Sequence, residues 1–216
     1  DREGDVRTLL HESGHAFHVF EAQKQPYRAL RGSPMEFAEV ASMSMELLAA
    51  PYLTKDQGGF YEPAELARTM IGQIEGMILF WPYMAVVDAF QHWVYEHPAA
   101  SPAERKAAWR DIERKYLPYR DYGDDAFLEA GGYWYRQGHI FQDPFYYIDY
   151  TLAQVCAYEF WARSRANRPR AWADYLGLCD LGGSLPFTAL VKAAGLSLPF
   201  DDGAIARVMA PVQAWL

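Results

Sequence analysis

Residues 11–18 read HESGHAFH, and a second polar cluster, MEFAEVASMSME, begins at Met35. On a helix, residues four apart share a face, so His11 and His15 present two imidazoles about one turn apart. Glu12 is rotated roughly 100° around the axis from His11. From there its carboxylate can reach a water bound to an ion without becoming a ligand itself. Two neutral nitrogen donors, an open position and a carboxylate to take a proton are what metal-assisted hydrolysis requires. The competing reading is that these are three polar residues that happen to share one amphipathic helix, since a bare HExxH also arises by chance.

One helix cannot wrap a tetrahedral ion, so a third ligand has to come from another element. Glu36 and Glu39 are the candidates on the next helix, which an antiparallel pairing would bring back beside the first. Three residues apart on one face, they are chemically equivalent donors. Glu46, seven residues beyond Glu39, lies on the same face and is placed to support it or a histidine ligand from behind. His18 sits most of a turn past His15 and reads as a bystander or as a supporting group behind the ligands.

The elements that must carry these groups read as helices throughout. Asp5 is placed to cap a helix running to about Ala22, and QPYRALRGSP is a loop. Pro34 opens a second helix through Glu46 to about Ala50. After KDQGGFYEP, the pattern predicts a long helix from Pro63 to about Glu96, bent at Pro82. Ser101, followed by Glu104, caps a helix over 102–116. Further helices are expected near 125–136, 145–166, 169–178, 185–194 and 201–210, with joints marked by Gly and Pro. No strand-length run shows two-residue alternation. The fold class is therefore all-α, in a single multi-helix domain.

Composition narrows the function classes. The 216 residues are 51% hydrophobic, enough for a sizeable core. Lys plus Arg number 20 against 28 for Asp plus Glu, a formal charge of −8 that disfavours nucleic acid as a partner. The longest apolar run, GMILFWPYMAVV from Gly76 to Val87, is about half a membrane span and reads as a buried helix, so no membrane is expected. Cys156 and Cys179 stand outside any CxxC pattern, which suits two reduced buried thiols and a cytoplasmic location. HESGH lies within about ten residues of the first residue, so the chain is expected to be the C-terminal portion of a longer protein.

A tyrosine-rich stretch, GHIFQDPFYYIDY at 138–150, holds the remaining candidates. A Tyr hydroxyl or His imidazole aimed at a carbonyl can stabilise an oxyanion, and His139, Tyr146, Tyr147 and Tyr150 are the groups available. Tyrosines on a helix face more often pack in the core with hydroxyls at the rim, and that reading competes for each of them. Trp134, Tyr135, Arg136 and Gln142 flank the stretch as possible cleft-lining groups.

Three blocks together resemble the thimet oligopeptidase and oligoendopeptidase F family of zinc metallopeptidases. HESGHAFH followed by FAEVASMSME is similar to the family's HExGH and E-x-P-S-x-x-x-E pair, with Ala41 where the family usually has Pro. GHIFQDPFYYIDY resembles its substrate-binding segment. YLGLCDLGGSLPFTALVKAAGLSL resembles the C-terminal block of the oligoendopeptidase F branch. The resemblance spans from about Asp5 to the end of the chain and implies a zincin-type catalytic domain over 1–216. It implies one Zn2+ held by His11, His15 and Glu39, with Glu12 as general base and acid. His139 and Tyr150 are favoured as oxyanion donors, and Tyr146 and Tyr147 remain open beside them.

The activity so implied is zinc-dependent endopeptidase hydrolysis of short peptides, with the N-terminal portion of the same protein as the partner that closes the substrate channel. Two alternatives stand beside it. A noncatalytic helical scaffold with a structural or vestigial metal site would need a fourth protein ligand that no well-placed Cys or His supplies. A zinc carboxypeptidase would need a basic group for the substrate's terminal carboxylate, which the sequence does not reveal.

Overall fold

The computed structural model describes residues 3–216. Apart from one isolated parallel bridge between Thr54 and Tyr61, the regular structure of the described residues is helical, as the patterning predicts. The helices are α1 (Glu3–Ala22), α2 (Met35–Leu48), α3 (Pro63–Glu96), α4 (Pro102–Tyr116) and α5 (Ala126–Glu129). They continue with α6 (His139–Gln142), α7 (Asp149–Ala166), α8 (Arg168–Leu181), α9 (Phe187–Ala193) and α10 (Ala204–Trp215), joined in places by short 3-10 turns.

Several boundaries follow from local chemistry. Ser101 and Glu104 form a reciprocal capping box on α4: the Ser101 hydroxyl accepts from the Glu104 amide, and the Glu104 carboxylate accepts from the Ser101 amide. Asn167 caps α8 by accepting from the Arg170 amide at 3.1 Å. Pro34 occupies the N-cap of α2, so that helix begins one residue later than predicted. Helix α1 already includes Glu3, which places Asp5 inside its first turn and not at the cap.

Two predicted helices are interrupted. The stretch 125–136 is a four-residue helix followed by a 3-10 turn at Gly132–Arg136, because Gly131 takes φ +90 between them. The stretch 145–166 becomes helical only at Asp149, because Phe145 adopts φ +65. His139 and Gln142, which lie between two predicted helices, bound the short helix α6. Helix α10 runs to Trp215 and tolerates Pro211 in its interior.

The chain divides into two compact units, and it passes from one to the other within α3 and again within α7. The first comprises the described residues through Ile74 together with Leu152–Leu216. In it α1 packs on α2 and on α8, and α8 packs on α9. Its interior includes Phe37, Ile74, Tyr158, Phe160, Tyr175 and Leu190, all fully buried. The Tyr175 hydroxyl donates to the Ala41 carbonyl at 3.0 Å, tying α8 to α2. Gly182 and Gly183 lie against the loop between α1 and α2, and a Cβ on Gly183 would stand 1.9 Å from the Gly32 carbonyl oxygen. That contact accounts physically for the paired glycines of the C-terminal block. Cys156 and Cys179 are free and buried here, and burial pushes the Cys179 thiol up to about 12.

The second unit, Glu75–Thr151, builds its core from Met84, Val86, Val87 and Phe90 of α3 around Trp109 of α4, closed by Leu117, Trp134 and Tyr147. Helix α3 is long and apolar enough to cross a membrane by length and composition alone, and its Met84, Val86, Val87 and Phe90 are buried in this core. Arg110 binds Glu113 at 3.0 Å and Glu129 at 2.7 Å, so the buried Glu113 carboxylate has a charged partner.

Gly131 carries the sharpest backbone demand in this unit. Its φ is left-handed, and an added Cβ would fall 1.8 Å from the Lys106 carbonyl oxygen. Gly131→Ala is expected to destabilise the protein by at least about 1–3 kcal/mol from the left-handed backbone alone, with the clash adding to it. A lowered midpoint in denaturant titration followed by circular dichroism checks this.

Candidate metal centre and tyrosine cluster

The first unit brings three donors together. His11 and His15, one turn apart on α1, stand with ring centroids 4.9 Å apart and planes at 83°. Glu39 of α2 reaches between them: its Oε2 lies 3.1 Å from Nε2 of His11 and 3.4 Å from Nε2 of His15. Among the described residues these three form the only group able to offer three donor atoms to one ion, all within 4.8 Å of one another. Ligands held tetrahedrally about 2.0–2.1 Å from a zinc ion are about 3.3 Å apart, which the two carboxylate distances approach closely. Two imidazoles and one carboxylate also match the borderline preference of zinc. The donor set therefore fits the ion that the sequence resemblance implies.

The geometry depends on how closely α1 and α2 approach. Gly14 is buried at their contact, and a Cβ there would meet Ser42 Cα at 2.6 Å and the Ala41 carbonyl oxygen at 3.0 Å. A residue without a side chain at this turn lets the two backbones close far enough for a short carboxylate to span the gap. The glycine of HESGH thus has a steric reason.

Behind the donors lies a second layer of polar contacts. His11 Nδ1 donates to Glu46 Oε1 at 2.7 Å, which leaves its Nε2 as the nitrogen available to an ion. Glu46 is itself held by Gln73, whose amide donates to Oε2 at 2.9 Å, and by Arg7 at 3.9 Å. The Ser42 hydroxyl donates to Oε2 of Glu39 at 2.9 Å. Burial disfavours a charged His11, but its hydrogen bonds to Glu39 and Glu46 outweigh that and raise its pKa to about 9. The carboxylates that attract a proton here would equally attract a divalent cation.

The other candidates on these helices are placed elsewhere. Glu36 is exposed and outside the donor group, whereas Glu39 is 6% exposed. Glu12 is exposed on α1, next to the ligating face but outside the cluster. His18 is buried edge-on to Phe37, and its Nε2 has no hydrogen-bond partner among the described residues. Burial, with a smaller contribution from the charge of His15, lowers its pKa.

In the second unit, His139, Tyr146, Tyr147 and Tyr150 form one aromatic cluster. The His139 ring centroid lies 4.8 Å from Tyr147, 6.0 Å from Tyr150 and 6.4 Å from Tyr146. Tyr147 is buried in the core, and burial pushes its hydroxyl pKa upward, which suits the packing role the sequence also allows. Tyr146 and Tyr150 are half-buried. The left-handed Phe145 turns the chain into this run, fixed by its amide donating to Gln91 Oε1 at 2.9 Å. A non-glycine residue held at positive φ costs on the order of 1–3 kcal/mol and collects at functional segments.

Of the flanking residues, Trp134 is core, while Tyr135, Arg136 and Gln142 are exposed. Sequence reasoning passed over Gln137. It is buried, accepts from the Tyr83 hydroxyl at 2.9 Å and lies 2.7 Å from Nδ1 of His139. Its adjacency to Gly138 and His139 was the only signal available.

The sequence model of peptidase family M3 matches residues 2–210. The chain is 24% identical over 186 residues to an oligoendopeptidase F homolog of Borreliella burgdorferi, covering 83% of this chain and 30% of that protein. An X-ray structure assigned to oligoendopeptidase F matches with 48% identity and a TM-score of 0.91, over 98% of this chain and 37% of the other. Pz peptidase A, solved with an inhibitor, matches with 47% identity and the same TM-score, again over 98% and 37%. The chain thus spans about a third of the length of the relatives it matches.

Two substitutions test the centre. Glu39→Ala is expected to lower zinc affinity far more than Glu36→Ala, measured by competition with a chromophoric chelator; a larger loss for Glu36→Ala would reverse the assignment. Gly14→Ala is expected to weaken zinc binding on the order of tenfold or more, in the range of disturbed outer-shell contacts, by wedging α1 from α2. Its far-ultraviolet dichroism should keep the helical signature.

Proposed function

The chain belongs to peptidase family M3, and on that premise we propose that it is the catalytic portion of a zinc-dependent endopeptidase of the oligoendopeptidase F type. Its substrates are short peptides. The observation that carries this reading is the convergence of Glu39 Oε2 on the Nε2 atoms of His11 and His15. Those three residues would hold the ion. When bound, zinc supplies Lewis acidity and lowers the pKa of a coordinated water towards about 7.

The chain's own groups supply the rest of the chemistry. Glu12, adjacent to His11 on an exposed face of α1, takes the proton from the attacking water and returns it to the departing amine. Glu46 keeps His11 oriented through Nδ1. His139 and Tyr150 donate hydrogen bonds to the oxyanion of the tetrahedral intermediate, an effect whose removal costs about 10²–10³ in turnover where it has been measured. Tyr146 is the further half-buried hydroxyl of that segment, and Tyr147 packs beneath it. The matched relatives, 37% covered, support a longer protein whose remaining portion walls the substrate channel. The two free, buried thiols support a reducing, cytoplasmic setting.

Glu12→Gln separates this reading from a noncatalytic metal site. The variant is expected to keep one equivalent of zinc by metal analysis while losing hydrolysis of a mixed peptide library followed by mass spectrometry. Cleavage that survives both the substitution and a chelator would overturn the proposal.

A further inference from the structure

We propose that Gln137 is a positioning residue that fixes His139 in the tautomer bearing its proton on Nε2. The inference deepens the role given to His139 above and rests on that reading for its functional meaning.

The geometry is local to the second unit. Gln137 is buried, and its backbone is fixed on both sides: its amide donates to the Trp134 carbonyl at 3.0 Å, and its carbonyl accepts from Ile140 at 3.1 Å. Its side chain meets three rings, those of Tyr83, His139 and Tyr147. The Tyr83 hydroxyl donates to Oε1 at 2.9 Å, which turns the amide nitrogen towards His139, 2.7 Å from Nδ1. An amide nitrogen has hydrogens and no acceptor capacity, so Nδ1 must present its lone pair. A neutral imidazole with a lone pair on Nδ1 carries its hydrogen on Nε2.

The consequence is a preset donor. An imidazole asked to stabilise an oxyanion must offer N–H and not a lone pair, and without a partner on Nδ1 both tautomers would be populated. Burial raises the pKa of Tyr83, which keeps that hydroxyl protonated and able to donate to the amide oxygen. Tyr83, Gln137 and His139 thus form a directional chain, hydroxyl to carbonyl and amide to imidazole, ending in the Nε2 donor. The arrangement resembles in logic the carboxylate that orients His11, with the opposite polarity: Glu46 makes Nδ1 a donor and Nε2 a lone pair, whereas Gln137 makes Nδ1 an acceptor and Nε2 a donor.

Imidazole nitrogen spectroscopy on the zinc-loaded chain tests this directly. With 15N-labelled histidine and the His139 signals assigned by their loss in His139→Gln, long-range proton–nitrogen spectra at neutral pH should show Nδ1 as pyridine-type and Nε2 as pyrrole-type. Gln137→Glu places an acceptor opposite Nδ1 and should make that nitrogen pyrrole-type. A protonated Nδ1 in the unsubstituted protein would mean that the amide is reversed and would overturn the inference, and so would signals that do not change in Gln137→Glu. Should that variant fail to fold, the unsubstituted spectrum alone decides. In a form with peptidase activity, Gln137→Glu should lower kcat about 10²-fold with KM little changed, as expected for loss of one oxyanion donor. A switched tautomer with unchanged kcat would remove His139 from the oxyanion while leaving its tautomer control by Gln137 intact.

Discussion

The close approach of α1 and α2 at Gly14 is the constraint on which the candidate metal centre depends. A glutamate side chain is short, and its carboxylate can lie about 3 Å from two imidazoles on a neighbouring helix only if the backbones nearly touch. The rest of the first unit serves that contact. Tyr175 anchors α8 to the Ala41 carbonyl on the same stretch of α2 that meets Gly14. Gly182 and Gly183 let the end of α8 press against the loop leading into α2. Distances at the donors are therefore set by packing several residues away from them.

Gathering carboxylates in a partly buried place has an electrostatic cost, and the polar contacts around them answer it. Glu39 and Glu46 are both buried, and each accepts from groups placed to receive it: Ser42 for the first, and His11 and Gln73 for the second. A buried carboxylate without such partners would be costly enough to protonate or to disrupt the fold. These donors leave the histidine Nε2 atoms and Glu39 Oε2 converging on one point.

The second unit solves a different problem. Its tyrosine segment lies on short helices and turns, which by themselves hold side chains loosely. Rigidity comes from beneath: the Trp109 core, the Arg110–Glu113–Glu129 ion pairs, and single hydrogen bonds to distant residues, such as that from the Phe145 amide to Gln91. The positive φ of Phe145 persists because that surrounding structure over-determines it.

What the sequence determined by itself was whatever local geometry decides. The one-turn spacing of His11 and His15, the capping box at Ser101, the span of α3 from Pro63 to Glu96 and the all-helical class follow from periodicity and capping within a few residues of chain. The family was legible as well, because three separated motifs occur in the right order. Tertiary structure alone decided the rest. Glu36 and Glu39 are equivalent donors in sequence, and only the α1–α2 contact buries one of them beside the imidazoles while leaving the other in solvent. The breaks at Gly131 and Phe145 went unread because the contacts that impose them come from Lys106 and Gln91, 25 and 54 residues away. Gln137 shows the same limit most plainly, since an amide can donate or accept with equal ease. Tyr83, 54 residues away in the chain, turns its nitrogen towards His139.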